Sequence, residues 1–351
     1  VLTAFGLVPA ALMGIDTAKL LDRAAWMSAQ CRADLPAARN PGLVLGAIMG
    51  QAALSGRDKL TLIADPFAAP LGAWLEQLIA ESSGKQGKGI VVVDAEPPAA
   101  PQTYSSDRMF VYLRHDGARA DFATALSAAG HPVLTFPIPD AYALGAEFYR
   151  WEVATAIACA VLGVNAFDQP DVQDNKNRTK AKIEAYARDR QMGDAEPLWK
   201  APGYKVFSTV NLAADSPRDF LTRFLSAAKP GDYVAVNAYL RRNPAMESIL
   251  QDLRAYILRQ TGCATTLGFG PRFLHSTGQL HKGGADNGLF VQITADPHDD
   301  LTIPGQDMTF GVLQRAQALG DYEALAARGR RILRLHFGEA GRLQAFVESL
   351  A

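Results

Sequence analysis

A glutamine and a glutamate lie one turn apart near the end of a predicted helix. Gln77 and Glu81 are four residues apart, along one edge of the apolar stripe that residues 71–79 form. A half-buried glutamate has the raised proton affinity that a general base needs. The helix ends near Lys85, at a connection leaving a sheet, where α/β proteins usually form clefts. This pattern predicts a proton-transfer site, although a surface carboxylate beside solvated lysines would give the same pattern.

A lysine follows a second polar cluster, residues 165–176 (NAFDQPDVQDNK). This segment leaves an apolar helix, turns at Gln169-Pro170 and begins a polar helix with Lys176 in its first turns. A cation near the positive end of a helix is locally unfavourable. A bound oxyanion or a nearby carboxylate would stabilise Lys176, whereas a solvated lysine that merely follows Asp174 is the alternative.

Two imidazoles, two hydroxyls and a lysine lie within residues 275–284 (HSTGQLHKGG), which we predict to be a loop between two strands. Backbone N–H groups in glycine-rich loops can form an anion-binding concavity. His275, Ser276, Thr277 and Lys282 are therefore candidates for a second anion site. A polar, glycine-rich connection without any binding role has the same composition.

Alternating strands and helices must position these clusters. Short apolar runs predict strands, and one-sided apolar stripes predict helices. In the first series the strands are residues 59–65, 109–113 and 131–138, and the helices are residues 71–79, 120–129 and 143–164. Strands that alternate with helices pair in parallel, so the sequence predicts an α/β fold. The first 54 residues are helical and contain no predicted strand.

A second α/β series follows a boundary at residues 196–204 (EPLWKAPGY), where proline and glycine are concentrated. Its predicted strands are residues 205–212, 233–240, 264–269 and 289–294. Its predicted helices are residues 217–228 and 244–261, with a helical tail over residues 310–350. A polar helix over residues 172–191 precedes the boundary.

Composition and charge exclude several classes of function. The 351 residues carry 35 Lys plus Arg and 36 Asp plus Glu, so there is no global field to hold nucleic acid or an anionic membrane. The longest uncharged stretches, residues 1–15 and 153–164, are shorter than the roughly 20 apolar residues of a spanning helix. The three cysteines have no CxxC spacing and no H-E-x-x-H motif occurs, so we expect no metal site. Scattered cysteines, odd in number, also indicate that the protein resides in the reducing cytoplasm. Dinucleotide and P-loop fingerprints are absent as well.

Two of the clusters together carry a family resemblance. The segments are residues 80–85 (AESSGK) with 87–89 (GKG), and residues 167–170 (FDQP) with Lys176. At this separation they resemble the second sugar-isomerase (SIS) domain of the phosphoglucose isomerase family. Residues 2–7 (LTAFGL) resemble the sequence after that family's Gly-Gly-Arg motif. The third cluster and the C-terminal residues resemble the isomerase half of bacterial bifunctional transaldolase/phosphoglucose isomerases, so the resemblance covers nearly the whole chain.

The resemblance implies a fold and an activity. The implied fold is a three-layer αβα SIS domain with a parallel sheet, followed by a second, smaller α/β domain. Residues 1–54 would be the helical remnant of a truncated first SIS domain, residues 55–195 the second SIS domain and residues 196–351 the C-terminal α/β domain. The implied reaction interconverts glucose 6-phosphate and fructose 6-phosphate through a cis-enediol, without a metal or organic cofactor, in cytoplasmic glycolysis and gluconeogenesis.

The resemblance also assigns roles residue by residue. Glu81 matches the catalytic base and Gln77 an active-site glutamine one turn earlier. Lys176 matches a lysine that acts at the ring oxygen and steadies developing charge. Gln169 matches a glutamine on the phosphate side of the substrate, and Lys85 lies in the same substrate-binding motif.

The implied partners are a sugar-phosphate substrate and further domains of the same parent chain. These domains are the missing first SIS domain, which grips the phosphate, and a transaldolase domain. A homodimer is compatible with the family. A non-catalytic sugar-phosphate sensor is the alternative function, because SIS domains also serve as effector-binding modules.

Overall fold

The predicted strands form two separate β-sheets in a computed structural model that describes residues 1–350. The contacts divide the chain into two units. Unit 1 comprises Val1–Ala95 and Ser106–Asp168, and unit 2 comprises Glu96–Ser105 and the chain from Gln169 onward, which makes unit 2 the longer one. The α/β class is confirmed in both. The domain boundaries predicted after residues 54 and 195 stay predictions, since compactness alone does not define a domain that folds independently.

Unit 1 contains a parallel four-stranded sheet in the order β2-β1-β3-β4. The strands are β1 (Lys59–Ala64), β2 (Val91–Val93), β3 (Arg108–Arg114) and β4 (Val133–Pro137). The three predicted strands of the first series are confirmed. Strand β2 was not predicted, because three residues are too few for a periodic pattern.

Helices cover both faces of this sheet. The helices of unit 1 are α1 (Ala4–Leu12), α2 (Thr17–Gln30), α3 (Pro41–Leu54), α4 (Pro70–Ser83), α5 (Ala120–Ala128) and α6 (Ala143–Leu162). The apolar side chains of α3, α4 and α6 pack with alternate residues of β1 and β3. Helix α5 lies on the opposite face, beside Tyr112 and Thr135. Helix α6 packs against α2, α3 and α4 as well as against the sheet, so most of its surface is covered by other elements. This explains why its sequence is nearly all apolar.

Helix α3 approaches α6 closely through glycine. A Cβ on Gly46 would lie 2.4 Å from the carbonyl oxygen of Ala154, a distance that no real Cβ tolerates. Helix α3 begins after Asn40, whose side chain accepts a hydrogen bond from the Leu43 N–H at 2.9 Å. A cap and a small-residue contact therefore fix the start and the face of α3.

Unit 2 contains a six-stranded sheet in the order β5-β6-β10-β9-β7-β8. The strands are β5 (Trp199–Ala201), β6 (Tyr204–Ser208), β7 (Tyr233–Tyr239), β8 (Ala264–Phe269), β9 (Gly288–Ala295) and β10 (Arg331–Phe337). Strands β10, β9, β7 and β8 are parallel, and β6 and β5 complete the sheet in antiparallel pairing.

The helices of unit 2 pack on the two faces of this sheet. They are α7 (Val172–Asp189), α8 (Pro217–Leu225), α9 (Pro244–Thr261), α10 (Thr277–Gly283), α11 (Phe310–Ala326) and α12 (Arg342–Glu348). Helices α8, α9 and α12 bury one face in a large apolar core. Helix α11 lies on the other face and contacts α7. No helix within residues 1–350 is both long and apolar enough to cross a bilayer.

Two predictions for unit 2 were wrong. The helical tail predicted over residues 310–350 is interrupted by β10, which lies inside the sheet. Arg334 and His336 break the apolar run of β10, and its leucines and arginines favour helix locally, so only pairing with β9 makes it a strand. The predicted loop over residues 275–284 is largely α10, preceded by a 3-10 turn at Arg272–His275.

A buried carboxylate organises the loop after β3. Asp65 follows β1 and is fully buried. It accepts hydrogen bonds from the N–H groups of His115 (2.8 Å), Gly117 (2.8 Å) and Arg119 (2.9 Å) and from the Tyr112 hydroxyl (2.9 Å). Burial raises the pKa of Asp65, but these hydrogen bonds outweigh burial and lower it from 3.8 to about 2.

Replacing Asp65 should destabilise unit 1 in a pH-dependent way. We expect Asp65→Asn to lower the free energy of unfolding by about 2 kcal/mol at neutral pH, because the amide NH₂ cannot accept these bonds. The contribution of Asp65 is full above pH 3.8 and is lost as the pH falls through about 2. The difference between the proteins should therefore shrink in acid. Urea unfolding at about pH 7 and about pH 2 measures it, with exposed Asp121→Asn as the control.

Candidate functional site

Helix α4 places the predicted base in its last turn. Glu81 is half-buried, as its position at the rim of the apolar face predicts, whereas Gln77 is exposed. Because β2 pairs in parallel with β1, the helix that joins them must return to the amino edge of the sheet. Glu81 therefore lies at this edge and not at the carboxyl edge, where we expected the cleft.

A buried ammonium lies directly after this helix. The Lys85 side chain is 1% exposed, and its Nζ lies 2.7 Å from the carbonyl oxygen of Asn165 and 2.9 Å from Asp168 Oδ1. It also donates to the backbone carbonyl of Asp168. All three acceptors belong to the segment that follows α6. Gln169 and Pro170, the last two residues of the FDQP cluster, belong to unit 2, which begins directly after Asp168.

Lys85 thus joins two of the clusters that the sequence analysis singled out separately. Lys88 adds a second contact, because its Nζ donates to the Leu162 carbonyl at the end of α6 at 2.7 Å. The ends of α4 and α6 are therefore fixed against one another by two lysines. The internal contacts of Lys85 account for its burial, and its predicted contact with substrate stays a prediction.

Helix α7 presents the second predicted catalytic residue. Lys176 is exposed near the start of the helix. Arg328, which follows α11, holds that start, since its guanidinium lies 2.7 Å from Asp171 Oδ1 and 2.8 Å from Asp174 Oδ2. Gln279 of α10 also bonds the Asp171 side chain at 2.8 Å. Carboxylates in the first turn also interact favourably with the helix dipole. These contacts together fix the backbone that carries Lys176.

Lys176 and His275 line one cavity of about 410 Å³ in unit 2. Thr179, Lys180 and Glu184 of α7 also line it, as does Gln317 of α11. The structure therefore brings Asn175 and Lys176 of the second cluster together with His275 of the third. Gln169 is exposed at the start of unit 2 and does not line this cavity.

The remaining candidates of the third cluster are buried. Ser276, Thr277 and Lys282 are 7%, 5% and 4% exposed. Lys282 Nζ lies 2.7 Å from Asp321 Oδ1, in a pair that is buried on both sides. Burial lowers the pKa of neighbouring His281 well below its usual range, so this imidazole is neutral at pH 7. An anion site here stays a prediction, and the charge of Lys282 is already paired.

The sequence analysis missed a polar face on the second sheet. Three adjacent parallel strands each carry two polar residues at alternate positions near their carboxyl ends. The six residues are Asn237 and Tyr239, Gln292 and Thr294, and Arg334 and His336. The signal was visible as a period-two polar pattern at the end of β7 and β9, but β10 was not recognised as a strand.

Within residues 1–350 no group of three His, Cys, Asp or Glu side chains could hold a metal ion.

Comparison with known proteins finds relatives but no matching protein-family model. A glucose-6-phosphate isomerase of Heliobacterium modesticaldum is 29% identical over 52% of this chain and 50% of its own length. One of Symbiobacterium thermophilum is 31% identical with the same coverage. The chain therefore spans about half the length of these relatives. A solved glucose-6-phosphate isomerase of Chlamydia trachomatis is 14% identical over 94% of this chain and 72% of that one, with a TM-score of 0.31.

Removing the Lys85 ammonium should destabilise unit 1. We expect Lys85→Met to lower the free energy of unfolding by about 3 kcal/mol, because it strands two carbonyls and a half-exposed carboxylate. Lys88→Met is the matched control, since this lysine is exposed on the same turn, and should cost less than about 1 kcal/mol. Urea unfolding measures both variants. Equal losses would show that burial of the Lys85 contact is unimportant.

Proposed function

We propose that the parent protein of this chain interconverts glucose 6-phosphate and fructose 6-phosphate through a cis-enediol intermediate. The observation that carries the proposal is the Lys85 contact within unit 1, which joins the AESSGK cluster to Asp168 of the FDQP cluster across 83 residues. Two clusters that resemble one family's active-site motifs are thus tied together by a buried charge. The named relatives support the same activity over half of their length.

The proposed chemistry is a proton transfer between neighbouring carbons. In the open-chain sugar, the Glu81 carboxylate removes the proton from C2 of the aldose and returns it to C1, while a proton moves from O2 to O1. The Lys176 ammonium stabilises the negative charge of the intermediate. Gln77 and Gln169 contact the substrate through their amides. A positioned base contributes roughly 10²–10⁴-fold to such a step, and no metal or organic cofactor is needed.

The parent protein would contain more than this chain. Helix α1 buries none of its residues, and Phe5 and Leu12 are 96% and 84% exposed. Exposed apolar residues at this density mark an interaction surface. We assign this surface to a first SIS domain that also supplies the phosphate-binding loop, and the parent to the transaldolase-fused branch of the family. The half-length coverage of the relatives agrees with an additional domain.

Replacing the base should strongly slow turnover in the parent protein. We expect Glu81→Gln to lower kcat by about 10²–10⁴-fold with little change in KM, because an amide binds but does not accept the proton. Production of glucose 6-phosphate from fructose 6-phosphate, coupled to its oxidation, measures this. Glu76→Gln is the matched control, because it makes the same change elsewhere on α4 and should leave kcat near normal.

The outcomes separate the enzyme from its alternative. A near-normal kcat in Glu81→Gln would remove this residue from the mechanism. Binding of the sugar phosphate without turnover in the unmodified parent would identify a non-catalytic sensor instead.

Residues 1–351 alone should be a poor catalyst. An enzyme uses the binding energy of the substrate's phosphate to lower the barrier at the reacting carbons. The loop that we propose to bind this phosphate lies in the first SIS domain of the parent. We expect kcat/KM of the isolated chain to be at least about 10²-fold below that of the parent. The same coupled assay at equal protein concentration decides this. Parent-like turnover by the isolated chain would contradict the assignment of phosphate binding to another domain.

A further inference from the structure

The cavity of about 410 Å³ in unit 2 presents an ammonium and an imidazole to the same space. Lys176 lines it from α7, and His275 lines it from the turn that precedes α10. Both residues are exposed, and neither side chain has a hydrogen-bond or ion-pair partner among the described residues. Small-molecule sites span roughly 300–1,000 Å³. Two polar groups are therefore free to contact one small ligand.

The rest of the lining suits a sugar. Lys180 and Glu184 lie one turn apart with 3.7 Å between their charged atoms, so their charges offset one another and Lys176 is left as the unbalanced cation. Gln317 contributes an amide, and Leu274 contributes an apolar surface. A sugar presents hydroxyl groups together with C–H faces, and a mixture of amide, cation and apolar groups matches both.

A buried amide holds together the two walls that carry Lys176 and His275. The Gln279 side chain of α10 is 1% exposed. Its oxygen accepts a hydrogen bond from the Asp171 N–H at 3.1 Å, and its nitrogen donates to Asp171 Oδ2 at 2.8 Å. Asp171 immediately precedes α7, and His275 lies just before α10. Because both atoms of the amide are engaged, Gln279 sets the position of one wall against the other.

The buried residues of the third cluster anchor α10 in turn. Lys282 Nζ lies 2.7 Å from Asp321 Oδ1 of α11. The Arg330 guanidinium donates to the carbonyl oxygens of Lys282 at 3.0 Å and of Gly284 at 2.6 Å, at the end of α10. Paired charges of this kind hold a helix in one place. The cluster therefore consists of one exposed side chain, His275, and a buried part that fixes its location.

We propose that His275 contacts the sugar phosphate beside Lys176, and that Gln279 is a positioning residue for both. His275 then belongs to the isomerase site and not to a second anion site. The imidazole forms a hydrogen bond with an oxygen of the sugar, while the Lys176 ammonium offsets negative charge on a neighbouring oxygen. This inference rests on the proposed function, which gives Lys176 its contact with the substrate.

Replacing the imidazole tests the contact in the parent protein. Calorimetry with glucitol 6-phosphate, whose reduced carbonyl cannot react, measures binding without turnover. We expect His275→Ala to raise its Kd about tenfold and to lower kcat/KM for fructose 6-phosphate by at least as much, because one hydrogen bond to the ligand is lost. The melting temperature should not change, since the side chain is exposed. His298→Ala, at an exposed histidine elsewhere in unit 2, is the matched control.

A rescue experiment tests the positioning role. Gln279→Glu removes the donor to Asp171 Oδ2 and places two carboxylates together, so we expect kcat/KM to fall about tenfold. Adding Asp171→Asn restores a donor between the two side chains and should recover at least about threefold. Gln260→Glu, at an exposed position on α9, is the matched control and should leave kcat/KM unchanged.

The outcomes separate this inference from the isomerase itself. Weaker binding by His275→Ala in a parent that binds but shows no turnover would contradict the isomerase and support the contact. Unchanged Kd and kcat/KM in His275→Ala would overturn the contact and leave the isomerase in place. A loss in Gln279→Glu that Asp171→Asn does not reverse would overturn the positioning role. A parent that neither binds nor converts sugar phosphates would contradict both proposals.

Discussion

The buried ammonium of Lys85 is the constraint on which the geometry of unit 1 depends. An ammonium that is 1% exposed is tolerated only with several acceptors around it, and three oxygens from residues 165 and 168 provide them. These oxygens can reach Lys85 only when α4 and α6 end side by side. The contact therefore fixes the end of α4, where Glu81 lies, before any substrate contributes.

Buried lysines are paired within each unit. Lys85 in unit 1 and Lys282 in unit 2 are buried and donate hydrogen bonds to oxygens of the protein itself. Satisfied buried charges hold a fold in place. These contacts account for the burial of both lysines.

The sequence predicted the parts of the fold that local pattern determines. Apolar runs identified β1, β7 and β8 with nearly correct bounds, because these strands are buried and follow clear turns. Pattern failed at β10, where Arg334 and His336 lie on a polar sheet face that only neighbouring strands reveal. The partners of Lys85 and Lys282 were equally beyond sequence reasoning, because Asp168 and Asp321 are 83 and 39 residues away. The role of a buried lysine depends on partners that lie far away along the chain. A single sequence does not reveal such long-range pairs.

The central claim is that Glu81 moves a proton between two carbons of a sugar phosphate. Deuterium incorporation tests it most directly, because an enediol intermediate exchanges with solvent. When the parent protein is incubated with fructose 6-phosphate in D₂O, we expect deuterium at C1 of the ketose and C2 of the aldose, and labelling about 10²–10⁴-fold slower with Glu81→Gln. Undiminished labelling by Glu81→Gln would contradict the claim.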